Sequence, residues 1–262
     1  MSRAALSPRL GLGAALLLYL LFLLLPLAAL IARLDPAAFF QHLRTPAAYD
    51  ALRLSLLTSL LATGCVVAIG LPVAYALATR DFAGKRILEV LIDLPIVLPP
   101  TVAGTALLLA FGRAGLVGAW LSPLGIALPF TTAAVVVAQV FVSAPFFVNA
   151  ARAGFEEVEP RYLQAAATLR SSPLHTFTAV LLPLSLPSIF AGVAMSAARA
   201  LGEFGATIVF AGNLQGRTQT MPLAVYVALQ GDLQEAVALS VLLLAVSFLL
   251  LAALRLTTER RR

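Results

Sequence analysis

Uncharged stretches set the organisation of the chain, because a charged side chain inside a bilayer is costly and is avoided unless it is used. The first runs from Leu10 to Ala32, the second from Leu54 to Thr79, and the third from Leu94 to Gly112, with Asp93 at its mouth. Each is long enough to cross as a helix, which needs about 20 apolar residues. No charge interrupts the 38 residues from Ala114 to Ala151. Ser122, Pro123, Gly125, Pro129, Thr131 and Thr132 break the first half of that run, so the fourth crossing is expected at 132–151. A polar stretch at 152–186 precedes a fifth span at 187–210 and a sixth at 236–254. The pattern predicts an all-α membrane protein with one transmembrane domain over 1–262 and six spans, the first at 10–32, the second at 54–79 and the third at 94–112.

Composition agrees. The 262 residues are 61% hydrophobic and 11% charged, with a mean hydropathy of +0.97, whereas roughly a quarter of a soluble domain is charged. A net charge of +6 and a pI near 10.2 raise the question of nucleic acid. The basic residues are scattered between apolar runs and at the ends, however, so orientation in a membrane explains them better and no nucleic-acid partner is expected. With both tails inside, the inner loops and tails carry Arg3, Arg9, Arg80, Lys85, Arg86, Arg152, Arg161, Arg170, Arg255, Arg260, Arg261 and Arg262. The outside has only Arg33, Arg44, Arg53, Arg113 and Arg217, and Arg199 falls within a span. That asymmetry places both termini in the cytoplasm. The first apolar run, 23 residues long, exceeds the 7 to 15 of a signal peptide, so a retained first span is expected. A single cysteine, Cys65, gives no disulfide framework, and His42 and His175 are too few for a histidine metal site. No Gly-x-x-x-x-Gly-Lys-Ser/Thr phosphate loop occurs.

The polar stretch carries its own helix signals. Pro160 suits a first helical turn and Glu159 complements the positive dipole end, predicting a helix from 160 to about 169 that ends at Arg170. Ser172 and Pro173 repeat the start signal. The second helix is expected to run into Leu182, with Pro183 and Pro187 interrupting it before span five. Such a helix pair is either a knob for another protein or a solvated connection. In span five, Arg199 and Glu203 share one helix face at i, i+4 spacing, about halfway along. They read as an internal ion pair, as a polar strip lining a pathway, or as both. Gly202 and Gly205 permit close helix approach, and Thr207 adds a hydroxyl. Pro95, Pro99 and Pro100 must kink span three or delay its start, which suits a pore-lining segment or a re-entrant one. No Ser/His or paired-Asp constellation occupies the spans, so no catalytic or metal residue is expected. His175 reads as a solvated loop residue.

Gln164-Ala165-Ala166, three residues, Arg170, nine residues and Val180-Leu181-Leu182-Pro183 resemble the EAA loop of binding-protein-dependent ABC importer permeases. The family pattern has glutamate where Gln164 stands and glycine where Arg170 stands. By resemblance this loop is the coupling helix that docks in a groove of the ATPase. The role falls on Gln164, Ala165, Ala166 and Arg170, with Pro183 ending the element. Gln164 supplies no charge, and Arg170 takes a left-handed turn less cheaply than glycine. Arg199 through Thr207, the run Ala211-Gly212-Asn213-Leu214-Gln215-Gly216-Arg217, and Leu94-Pro95 through Pro99-Pro100-Thr101 in span three resemble molybdate and tungstate permeases. Sulfate permeases share the Ala-Gly-Asn element.

The resemblance covers most of residues 50–235. It implies a MetI-like permease in the inner membrane, paired with a second copy of itself and with two copies of an ABC ATPase that binds the ATP and Mg, this chain holding no cofactor. It also implies an extracytoplasmic oxyanion-binding protein, which Arg217 would face. Pro99, Pro100, Thr101, Arg199, Glu203 and Thr207 then become the candidate substrate pathway or gate. A sulfate or thiosulfate permease is the nearest alternative. An ion-coupled secondary transporter would have only Arg199 and Glu203 as coupling residues, and no inverted repeat is found.

Overall fold

A computed structural model describes the backbone of residues 3–259 and the side chains of residues 11–253; all regular structure among them is helical. The side chains of Arg3, Arg9 and Arg255, and residues Arg260, Arg261 and Arg262 altogether, lie outside that description. Helix α1 (Arg3–Ala32) stands apart from the core with its apolar side chains exposed. Helices α2 (Pro36–Leu43) and α3 (Pro46–Thr79) each open with a side-chain cap followed by proline. Asp35 accepts the N–H of Ala37 at 2.9 Å, and Thr45 accepts that of Ala48 at 3.3 Å. At 34 residues, α3 is about 50 Å long and overshoots a hydrocarbon layer of about 30 Å. The helix begins at Pro46, ahead of the uncharged run that opens at Leu54.

The third span is not straight. Helices α4 (Lys85–Val97) and α5 (Pro100–Phe111) meet at 116° across Leu98 and Pro99. Each of these two residues precedes a proline, which pushes it to extended backbone, and Leu98 has φ −65° and ψ 132°. The segment expected at 94–112 is thus sharply bent and not one straight helix. After a short turn α6 (Gly118–Leu121), helix α7 (Thr132–Glu156) starts at the predicted place, where Thr131 accepts the N–H of Ala134.

Next come α8 (Pro160–Thr168) and α9 (Pro173–Thr176), a π-helical turn at Phe177–Leu181, and α10 (Leu182–Leu201). Residues 173–201 form one continuous helical run, so Pro183 does not end the element and the helix that carries span five begins well before 187. The missing donor of Pro183 falls at the first turn of α10, beside a π turn, while Pro187 lies inside the helix. The far end of span five is broken in turn, since α10 stops at Leu201 and α11 (Gly205–Phe210) resumes after three residues. Helices α12 (Met221–Gly231) and α13 (Leu233–Glu259) complete the chain. Among the described residues five helices are long and apolar enough to cross, and the bent α4–α5 pair brings the number to six where it is counted as one span.

Helix α7 is the central post, packed on α3 and α10. Val66, Leu77, Phe147, Phe155 and Leu181 fill the end near α8. The opposite end joins Ala103 and Leu107 of α5 to Val135 of α7 and Phe210 of α11. A third cluster joins Ala51 of α3 to Met221 and Ala224 of α12 and Leu239 of α13. Ser185 of α10 donates its hydroxyl to the Gly154 carbonyl at 2.9 Å.

Candidate functional site

The break in span five is organised by one carboxylate. Glu203 is 1% exposed; its Oε2 lies 2.7 Å from Arg199 Nη2, and its Oε1 accepts the backbone N–H of Ala206 at 2.7 Å. One side chain thus pairs the last turn of α10 with the first turn of α11. The Arg199 side chain is 29% exposed. The pair is not midway along a continuous helix, as the sequence suggests. Gly192 packs on Phe147 and Ala150, and Ser185 bonds Gly154, which fixes an antiparallel register between α7 and α10.

The break is braced from α5. A Cβ on Gly104 would lie 2.7 Å from Val209 Cβ and 2.8 Å from the Ala206 carbonyl, and one on Gly205 would overlap Pro100 Cβ. Only glycine allows this crossing, which joins the proline bend of span three to the break of span five. Pro100, Arg199, Glu203 and Thr207 are therefore neighbours by chain and packing. Thr207 is fully buried, and its hydroxyl finds no partner among the described residues. Pro99 and Thr101 are exposed, and the Thr101 carbonyl accepts the Thr105 hydroxyl at 2.9 Å. Arg217 lies apart in the loop before α12, exposed, its carbonyl accepting the Thr132 hydroxyl at 2.9 Å.

The loop between α7 and α10 is a compact knob. Gln164 and Ala165 of α8 are exposed, while Ala166 is buried against the chain itself, so the three residues do not share a surface. Leu169 and Leu174 protrude beside them. Arg170 adopts the left-handed conformation, φ +54°. The N–H of Ser171 reaches the Ala166 carbonyl at 3.0 Å and that of Arg170 reaches Ala167 at 3.0 Å, which is the Schellman ending of a helix. The turn that glycine favours is thus made by an arginine. Tyr75, Phe155 and Phe177 stack edge to face or tilted, with ring centroids 4.9 to 6.2 Å apart, and tie the π turn to α3 and α7.

A polar ladder joins α4 to α7 near the same end. Arg152 holds Glu89 at 2.9 Å and Glu156 at 2.7 Å, and Asn149 donates to Asp93 at 2.7 Å. The sequence reading passes over this ladder as a unit. Its signal is the match between Glu89 and Asp93, spaced i, i+4, and Asn149 and Arg152, spaced i, i+3, on two apolar helices.

Five helices long and apolar enough to cross, a sharply bent helix pair braced against the break in span five, and a helical knob at one end are the architecture of a polytopic membrane protein. The sequence matches the family of binding-protein-dependent transport system inner membrane components over residues 67–262. The chain belongs to that family and is a multi-pass inner-membrane protein. It is 44% identical over 230 residues to the molybdenum transport system permease protein ModB of Mycobacterium bovis, covering 88% of this chain and 87% of that one. To the sulfate transport system permease protein CysT of Escherichia coli it is 37% identical over 255 residues, covering 96% and 92%. Among solved structures, a bacterial alginate ABC transporter in complex with an alginate pentasaccharide-bound periplasmic protein superposes with a TM-score of 0.78 at 16% identity, over 97% of this chain and 96% of that one. The chain is a permease component of an ABC system and not an enzyme.

Proposed function

We propose that the chain is the membrane-spanning subunit of an ATP-driven importer of molybdate or tungstate, working as two copies with two copies of an ABC ATPase and an extracytoplasmic oxyanion-binding protein. The 44% identity to a molybdenum permease over most of both chains carries the choice of substrate. The sulfate reading stands second on the CysT likeness. Both termini then lie in the cytoplasm with α8, and Arg217 faces the binding protein outside.

The geometry supports alternating access driven from the knob. Gln164, Ala165, Leu169 and Leu174 offer the ATPase an exposed surface. A displacement there bears on α3 and α7 through Tyr75, Phe155 and Phe177, and on α4 through Arg152. The bend at Leu98 and Pro99 passes it to α5, and the Gly104–Gly205 crossing passes it to the Arg199–Glu203 break. Arg199, whose side chain is partly exposed, offers an oxyanion a transient donor. Tight capture is left to the binding protein, so that release inward is not impeded.

The test is gentle purification of the tagged permease with its partners. An ATPase is expected to accompany it and to be lost in Ala165→Arg, and the intact complex in vesicles is expected to take up molybdate or tungstate in preference to sulfate when ATP is supplied. Uptake independent of ATP would overturn the reading and make Arg199 and Glu203 the coupling site of a secondary transporter.

A further inference from the structure

We propose that residues 112–131, between α5 and α7, lie in the lipid–water interface on the face of the membrane opposite α8, anchored by Trp120. Three independent observations converge on this segment.

Its depth is fixed by its neighbours. Phe111 at the end of α5 packs on Phe210 at the end of α11, with ring centroids 6.2 Å apart, and the Phe130 N–H reaches the Phe210 carbonyl at 3.4 Å. Thr132 then starts α7. The segment is therefore level with the ends of three membrane helices.

Its side chains suit that level. Leu116 is 83% exposed, Trp120 82% and Leu124 72%. No charge occurs from Ala114 to Ala151, while Arg113, exposed at the start of the segment, can extend to phosphate headgroups. An aromatic with a polar edge, flanked by leucines and one arginine, is the chemistry of the interfacial belt. Bare leucines facing water would form an apolar patch of the kind that soluble surfaces avoid.

Its backbone needs little water. The Val117 N–H closes on the Ala110 carbonyl at 2.8 Å and the Leu116 N–H on Leu109 at 3.2 Å, so two of the last carbonyls of α5 are satisfied by the segment itself. The fold-back brings Gly118 against the Gly112 carbonyl, where no Cβ fits. A helix end at membrane depth requires such internal satisfaction, and one in water does not. The level of the segment with the helix ends, together with exposed Leu116, Trp120, Leu124 and Arg113, makes lipid the occupant of this face.

Trp120 is the only tryptophan in the chain, so the fluorescence of the unaltered protein reads this site alone. In vesicles of phospholipid brominated along the acyl chain, emission is expected to be quenched most by bromine just below the headgroups, less by bromine near the chain ends, and little by iodide in the water. Strong iodide quenching with no effect of brominated lipid would put the segment in water and overturn the proposal. Protection from both quenchers would put it under protein, such as a second copy, and would overturn it equally. Neither result depends on which oxyanion is carried.

Discussion

The Ser55 hydroxyl on α3 accepts the backbone N–H of Met221, 166 residues along the chain, at 2.7 Å, with both residues buried. Thr220 occupies the capping position of α12 but makes no cap bond with its side chain. The cap arrives from a different helix, so α12 cannot leave α3 without exposing an orphan donor. Ser55→Ala should destabilise the protein by about 1–3 kcal/mol, the cost of a buried N–H left unmade. Thermal unfolding in detergent measures the loss, and faster amide exchange in the first turn of α12 locates it.

Arg170→Gly is expected to stabilise the knob by about 0.5–1 kcal/mol, because a left-handed residue without Cβ carries no steric penalty. Arg170→Val is expected to destabilise it, since a β-branched side chain is a worse fit at φ +54°. A thermal shift in the same direction for both variants would show that the turn does not govern this element.

Gln164 and Ala165 are separable from Ala166. Ala165→Arg should abolish ATPase association while leaving the melting temperature of the permease unchanged. Ala166→Arg should lower both, because its Cβ is packed inside the chain. Pull-down and melting curves on the two variants distinguish docking from folding.

Glu203→Ala removes an ion pair and a helix cap together, and leaves Arg199 without its carboxylate. A fully buried broken pair costs about 3–5 kcal/mol, and the partial exposure of Arg199 brings the expected value to about 2–3 kcal/mol. Glu203→Gln keeps an oxygen for Ala206 and should recover part of that stability without restoring uptake. Normal transport in either variant would remove the pair from the pathway.

Arg152→Ala should release α4 from α7 at little cost in stability, about 1 kcal/mol or less for ion pairs this exposed. The expected signature is ATP hydrolysis without transport, with a widened distance between spin labels at the exposed positions 90 and 153. An unchanged distance would show that apolar packing, and not the ladder, sets the position of α4.

Helix starts were legible in the sequence wherever a cap and a proline stand together. Glu159-Pro160 and Ser172-Pro173 begin α8 and α9 at the predicted residues. The prolines of span three announce a break but not its 116° angle, which depends on what α4 and α5 each pack against. The interruption at Gly202–Phe204 was hidden because the chain stays apolar on both sides, and because the cap for Ala206 comes from a residue that reads as half of an ion pair. Pro183 misled for the opposite reason: it looks like a terminator, yet the π turn ahead of it lets the helix continue. The Ser55 contact left no local trace, since nothing near Met221 in the chain points to α3.

No residue of α4 is buried within one chain, although Ile87, Val90, Leu91 and Val97 are all apolar and exposed. The surroundings that cover this helix are supplied from outside, by lipid or by another subunit. Where a subunit supplies them, mass action governs its order, and dilution into detergent loosens α4 before it melts α7. A melting temperature recorded at one protein concentration then describes the association as much as the chain, and only a dilution series separates the two.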